Sequence, residues 1–211
     1  MHDEKRFAAY YQELPACRRE KIDALKPEGE RCRSLGAGIL LKKACEEYGI
    51  PGEDGRLLPG EYGKPAFAAC PEVHFSLSHS GEYAVCVMAP RETGCDVETV
   101  KPFRMPVAER VFTEEELLWF SGEVEQGRGD EAFCRLWTLK ESFLKATGKG
   151  FAFPVREVSF SFAEEQPVLR IQGKPEPAFS FFESRLSEGC RCAVCLLGSG
   201  ETKPEIVPIM L

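Results

Sequence analysis

Asp96 and Glu98 lie two residues apart in Gly94-Cys95-Asp96-Val97-Glu98, so a strand through them carries both carboxylates on one face. Glu141 and Lys145 lie four apart in Trp137-Thr138-Leu139-Lys140-Glu141-Ser142-Phe143-Leu144-Lys145-Ala146, so a helix puts them on one side. Together they offer three carboxylates and one ammonium, a set that can hold a hard divalent cation against a phosphate. Oxygen ligands suit Mg2+, whereas zinc recruits His or Cys. Each pair alone has a plainer reading, as solvated charges at a strand end or a surface ion pair on a helix. Their co-occurrence, with Lys140 adjacent and Trp137 and Phe143 as an aromatic bracket, favours a site.

The remaining polar motifs say less. His79 lies between hydroxyls in Ser78-His79-Ser80-Gly81, read as a polar turn. Neighbouring side chains on extended backbone face opposite ways, and no nucleophile elbow is present, so a serine hydrolase is disfavoured. His79 reads as a turn residue with a satisfied imidazole or as a donor to a phosphate. Gly63-Lys64-Pro65 reads as a rigid turn with a protruding cation, and Gly148-Lys149-Gly150 lacks the spacing of a Walker motif. Cys190, Cys192 and Cys195 form C-x-C-x-x-C inside an apolar run and read as buried strand residues, not zinc ligands.

These groups need elements to position them. Two helices are expected between about Pro15 and Tyr48, the second on Leu35, Ile39, Leu40 and Ala44 with Gly49 as its stop. A Gly/Pro-rich loop covers 49–64. Strands are expected over 73–78, 83–89 and 94–100. Helices follow over 106–111, 113–120 and 130–147, with Thr113 and Glu116 as a capping box and Gly148 closing the long helix. Strands then fit 157–162, 168–171, 178–184 and 191–197. Tyr83-Ala84-Val85-Cys86-Val87-Met88 echoes Arg191-Cys192-Ala193-Val194-Cys195-Leu196, hinting at two similar α+β lobes.

A chain of 211 residues, 43% hydrophobic and 29% charged, can bury a substantial core. The charged start, Met1-His2-Asp3-Glu4-Lys5-Arg6, opens no signal peptide, and no apolar run approaches a membrane span. A cytoplasmic protein with ten reduced cysteines is the expectation. A net charge of -7 disfavours non-specific nucleic-acid binding, yet Arg18, Arg19, Lys21, Arg31 and Arg33 form a local basic patch.

In order and spacing, four motifs resemble the 4′-phosphopantetheinyl transferases, the monomeric surfactin-synthetase-activating type: Gly63-Lys64-Pro65, Phe75-Ser76-Leu77-Ser78-His79-Ser80-Gly81, Gly94-Cys95-Asp96-Val97-Glu98 and Trp137 to Lys145. The resemblance spans about residues 18–150. It implies an α+β fold of two similar lobes related by a pseudo-twofold, 1–100 on the nucleotide side and 101–211 on the carrier side, with the active site in the cleft between. It implies coenzyme A as co-substrate, Mg2+ or Mn2+, and an apo carrier protein of fatty-acid, polyketide or nonribosomal-peptide type as partner. A carrier serine attacks the β-phosphate of coenzyme A, the phosphopantetheine arm is transferred, and 3′,5′-ADP leaves.

By the same resemblance Asp96, Glu98 and Glu141 are metal ligands, and Glu141 is the base for the serine, directly or through water. Lys145 is the pyrophosphate partner and Lys140 a phosphate neighbour. His79 and Arg33 contact the 3′-phosphate, with Arg18 and Lys21 reaching the same region. Lys64 and Pro65 form the turn beside the adenine, Ser78 contacts the pyrophosphate, and Glu116 matches an acid near the site. The chain departs from the family where Ser76 replaces a frequent Asn, Cys95 an aliphatic residue and Ser142 a frequent Ala. A Mg2+-dependent nucleotide hydrolase and a non-catalytic coenzyme A-binding protein are the alternative readings of the same residues.

Overall fold

The apolar residues that could not be left in water dictate two helix-on-sheet packings. The computed structural model describes residues 4–50, 57–60, 62–163, 166–198 and 204–209. In the first half, helices α1 (Glu4–Gln12), α2 (Ala16–Asp23) and α3 (Glu28–Glu47) precede strands β1 (Leu57–Pro59), β2 (Pro65–Phe67), β3 (His74–Ser80) and β4 (Tyr83–Ala89). Next come β5 (Thr93–Thr99), α4 (Met105–Val111), α5 (Glu114–Glu125) and α6 (Gly129–Thr147). Strands β6 (Val158–Ala163), β7 (Gln166–Ile171), β8 (Lys174–Pro175), β9 (Phe179–Ser187) and β10 (Cys190–Leu197) complete the described structure. This is an α+β fold, with antiparallel sheets ordered β1-β2, β3-β4, β5-β10-β9 and β6-β7-β8.

Two long helices each lie on a pair of strands. Helix α3 lies against β4 and β3, and α6 lies against β5 and β10. The two echoing apolar runs are thus β4 and β10, each beneath a long helix. Strand β5, at the end of the 1–100 stretch, pairs with β10, so one sheet joins both halves of the chain. Helix α6 threads the principal core: Leu136, Leu139, Phe143 and Leu144 are buried, and Phe143 meets Phe153 and Phe179 edge-on at 5.5 and 5.1 Å. Burying a side chain of this size stabilises by about 1.5–3 kcal/mol. Gly148, at φ 70°, ends the helix in the left-handed conformation that glycine tolerates.

Several expectations change. The polar turn over 78–81 is instead the end of β3; only Gly81, at φ 58°, and Glu82 turn the chain. The hydroxyls of Ser78 and Ser80 have partners on β5, so the strand can continue with polar residues inside. Helix α1 was not anticipated; Phe7, Tyr10 and Tyr11 attach it to Leu14, Ile22, Leu35 and Ile39. Helix α5 runs on to Glu125 and β9 to Ser187. Within the expected 49–64 loop, β1 pairs with β2, while 51–56 and 61 lie outside the described residues. Cys190 and Cys192 join a cluster with Val97 and Cys195 faces the principal core, so the three do not converge. All ten cysteines are free thiols, and burial pushes Cys190 up to about 11 and Cys192 up to about 12.

Candidate functional site

Gly94 fixes the geometry from which the site is built. Helix α6 crosses β5 so closely that a Cβ on Gly94 would run into the backbone of Ser142 and Ala146. That approach brings Glu141 and Lys145 over Asp96 and Glu98. Lys145 Nζ lies 2.6 Å from Asp96 Oδ1 and donates to Ser78 Oγ at 3.0 Å. The Ser78 hydroxyl donates to Asp96 Oδ1 at 2.8 Å and accepts from Val97 N at 3.3 Å. Glu98 Oε2 accepts from Ser80 Oγ at 2.7 Å.

Ser78, Asp96, Glu98, Glu141 and Lys145 line one cleft of about 660 Å3 with Arg18, Lys21, Glu30, Ser34, His79 and Trp137. Its lining mixes the charges: Arg18 and Lys21 from α2 and Lys145 from α6 are basic, His79 comes from β3, and Glu30, Asp96, Glu98 and Glu141 are carboxylates. Arg18 donates to Ser34 O at 2.9 Å, while its Nε is buried without a partner. Basic groups that converge on a cleft attract a polyanion even on an acidic protein.

Burial pushes the Asp96 carboxyl above the ordinary carboxylate range, against the pull of Lys145 and Ser78. Glu141 is raised too, by burial first and then by the Asp96 charge. Burial pulls Lys145 down, but the Asp96 charge and hydrogen bond outweigh it, and it stays an ammonium above the ordinary lysine value. The decisive atom is Asp96 Oδ2, which is buried and makes no hydrogen bond of ordinary geometry, the nearby Val97 N–H being the one backbone group that favours this carboxylate. An orphaned carboxylate oxygen costs about 1–3 kcal/mol or more, so it marks a place prepared for a positive partner. Among the described residues no three metal-ligating side chains form a ready-made cage. The oxygen-only chemistry of Asp96, Glu98 and Glu141 is still of the kind Mg2+ takes, as one or two carboxylates plus waters and phosphate oxygens. The donor set therefore fits a hard divalent cation.

Five residues that the resemblance puts at or near the site are absent from the cleft lining. Lys140 does not reach the cleft: it is 2% exposed, with Nζ 2.8 Å from Glu116 Oε2 and donating to Val155 O and Val158 O. Glu116 completes the capping box at Thr113 N and also accepts from Phe160 N at 2.9 Å, so this acid is a buried tie between α5, α6 and β6. Lys64 is no protruding cation. Its Nζ donates to Glu92 at 2.6 Å, Thr93 O at 3.0 Å and Ala146 O at 2.8 Å, bracing the end of α6 against the start of β5. Pro65 sits exposed at the start of β2. Arg33 lies beside the cleft, paired with Glu30 at 2.6 Å and donating to Gly81 O at 3.4 Å. Trp137, which the sequence already brackets with the site, joins the lining, while Glu30 and Ser34 as lining residues and Ser80 as the partner of Glu98 were missed. The period-two hydroxyls Ser76, Ser78 and Ser80 were the available signal for the last.

Residues 92–195 match the model of the 4′-phosphopantetheinyl transferase superfamily. The chain is 33% identical to the 4′-phosphopantetheinyl transferase gsp of Aneurinibacillus migulanus, over 85% of this chain and 74% of that one. It is 28% identical to the 4′-phosphopantetheinyl transferase Sfp of Bacillus subtilis, over 84% of this chain and 80% of the other. With the human L-aminoadipate-semialdehyde dehydrogenase-phosphopantetheinyl transferase it shares 29% identity, over 82% of this chain and 63% of the relative. Similarity of this extent covers both the β5 acids and the α6 acid–lysine pair, and the chain belongs to the 4′-phosphopantetheinyl transferase superfamily.

Proposed function

We propose that this protein transfers the 4′-phosphopantetheine arm of coenzyme A to a serine of an apo carrier protein and releases 3′,5′-ADP. The observation that carries the reading is the buried, unpartnered Asp96 Oδ2 in a cleft that Glu141, Lys145, Arg18, Lys21 and His79 also line. A bisphosphorylated nucleotide suits a cleft that offers both basic groups and carboxylates able to hold a cation. Arg18, Lys21 and His79 hold its 3′-phosphate end, which directs the pyrophosphate toward Asp96, Glu98 and Lys145.

Asp96, Glu98 and Glu141 are the groups that would hold Mg2+ or Mn2+. A bound cation supplies charge neutralisation on the pyrophosphate. Lys145 adds a fixed ammonium from a rigid helix and stabilises charge as the leaving group departs. Glu141, raised by burial, is suited to taking the proton of the carrier serine. The serine Oγ forms a bond to the β-phosphorus, and the bond from that phosphorus to the bridging oxygen breaks. The bridging oxygen leaves with 3′,5′-ADP. Lys140 and Lys64 act at a distance, by holding α6 in place.

Mass spectrometry of an apo carrier protein incubated with coenzyme A and Mg2+ tests the proposal. The carrier gains the mass of one phosphopantetheine and 3′,5′-ADP appears in equal amount. Nucleotide breakdown with an unchanged carrier would identify a hydrolase. Coenzyme A binding with neither product would identify a binding protein.

A further inference from the structure

Strand β5 pairs with β10 along one edge, and its other edge faces β3 without a backbone ladder. An open edge inside a protein leaves N–H groups that need acceptors. Three serines supply them. Cys95 N donates to Ser76 Oγ at 3.1 Å, Val97 N to Ser78 Oγ at 3.3 Å and Thr99 N to Ser80 Oγ at 3.1 Å. The alternation of β3 thus sews two sheets together with side chains.

Each serine hydroxyl keeps one hydrogen bond to donate. Ser78 donates to Asp96. Ser80 lies 2.7 Å from Glu98 Oε2 and 3.5 Å from the Thr99 hydroxyl, and donates to the nearer, charged acceptor. Ser76 reaches no carboxylate among the described residues. Glu98 differs from Asp96 in having no cation paired with it, so Ser80 is its one side-chain anchor among the described residues. The hydroxyl holds one carboxylate oxygen and leaves the other unclaimed.

We infer that Ser80 is a positioning residue: it fixes the Glu98 carboxylate for a divalent cation while holding the β3–β5 seam, a role that rests on the proposed metal-dependent transfer. Removing such an outer partner lowers metal affinity by about ten- to a hundredfold. Ser76 is the internal control, because it makes the same seam bond without touching an acid.

Mn2+ binding followed by electron paramagnetic resonance, with coenzyme A present, reads this directly. Ser80→Ala should weaken Mn2+ binding by about ten- to a hundredfold. Its coenzyme A affinity in chelator should stay at the wild-type value, since Arg18, Lys21 and His79 are untouched. Ser80→Thr restores the hydroxyl and should restore Mn2+ binding. Ser76→Ala should lower the melting temperature yet bind Mn2+ like wild type. Should the alanine variant not fold, Ser80→Cys keeps the shape with a weaker donor and serves the same comparison. Wild-type Mn2+ affinity in Ser80→Ala, or equal weakening in Ser76→Ala, overturns the assignment while leaving the transferase reading intact. A wild-type protein that binds no Mn2+ overturns this assignment and the metal-dependent part of the proposed function together.

Discussion

Helix α6 carries two lysines five positions apart, and each meets a carboxylate from another element, yet the two ends behave differently. At Lys140 everything is closed. Its side chain is 3% exposed, that of Glu116 is 0%, both Glu116 oxygens have donors, and the ammonium also serves two carbonyls. At Lys145 the side chain is 30% exposed, the contact falls on Asp96 Oδ1 alone, and Asp96 Oδ2 is left without a partner. The first pair is buried with every charged atom partnered. The second leaves one carboxylate oxygen without a partner. Proximity of opposite charges does not distinguish structure from function here; the number of unsatisfied atoms does.

The strongest break of this contrast lies at the unsatisfied end. Asp96→Ala should lower the turnover of carrier modification by at least about a hundredfold, a loss typical of deleting a preorganised charge contact. The fold should survive, because Lys145 retains a route to water. Near-normal turnover would show that the orphaned oxygen has no role in the reaction. At the satisfied end the loss should appear in stability. Lys140→Met leaves Glu116 buried without its cation, a change that costs about 3–5 kcal/mol. For a chain of this size that is a fall in melting temperature of about 6–20 °C. Transfer per folded molecule should remain near wild type. Glu116→Gln added to Lys140→Met should recover part of the loss, since an amide needs no ammonium. A collapse of turnover in folded Lys140→Met would return Lys140 to the phosphate site.

Lys145→Ala sharpens the contrast from the other side. A charge used chiefly as the leaving group departs affects turnover more than ground-state binding. The turnover number should fall at least about tenfold, equivalent to about 1.4 kcal/mol of transition-state stabilisation. Titrating coenzyme A at saturating metal separates the two effects. A rise in the Michaelis constant with unchanged turnover would make Lys145 a binding residue only.

Sequence alone made the acids of β5, the Glu141–Lys145 face and the ends of α6 legible, because each rests on short-range periodicity and on Gly148. It did not separate Lys140 from Lys145. Both are lysines on one helix, and what divides them is Glu116 arriving from α5 and the carbonyls of Val155 and Val158. Lys64 was misread for a similar reason: its partners Thr93 O and Ala146 O come from distant parts of the chain. The serines of β3 looked like a turn because polar residues are rarely placed inside without acceptors and donors. The open edge of β5 supplies them, and that edge exists only once β10 has taken the other side.

The smallest expected effect tests whether the cleft end is destabilised in the absence of ligand. Glu141 is raised by burial and by the Asp96 charge, so its folded-state value lies above its unfolded one. An acid raised in this way costs stability above the folded value, and the cost disappears as pH falls below the unfolded value. At neutral pH, Glu141→Gln should therefore melt higher than wild type. Partial exposure of Glu141 screens the charge, so the rise should be only about 1–3 °C in ligand-free protein. Acidification should shrink the difference as the wild-type carboxyl takes up its proton. Coenzyme A with Mg2+ should reverse the order, because the wild-type acid then gains the partner it lacks. Calorimetry across pH, with and without both ligands, reads all three effects. If ligand-free Glu141→Gln melts below wild type at neutral pH, Glu141 is a satisfied structural acid like Glu116, and the division between the two ends of α6 fails.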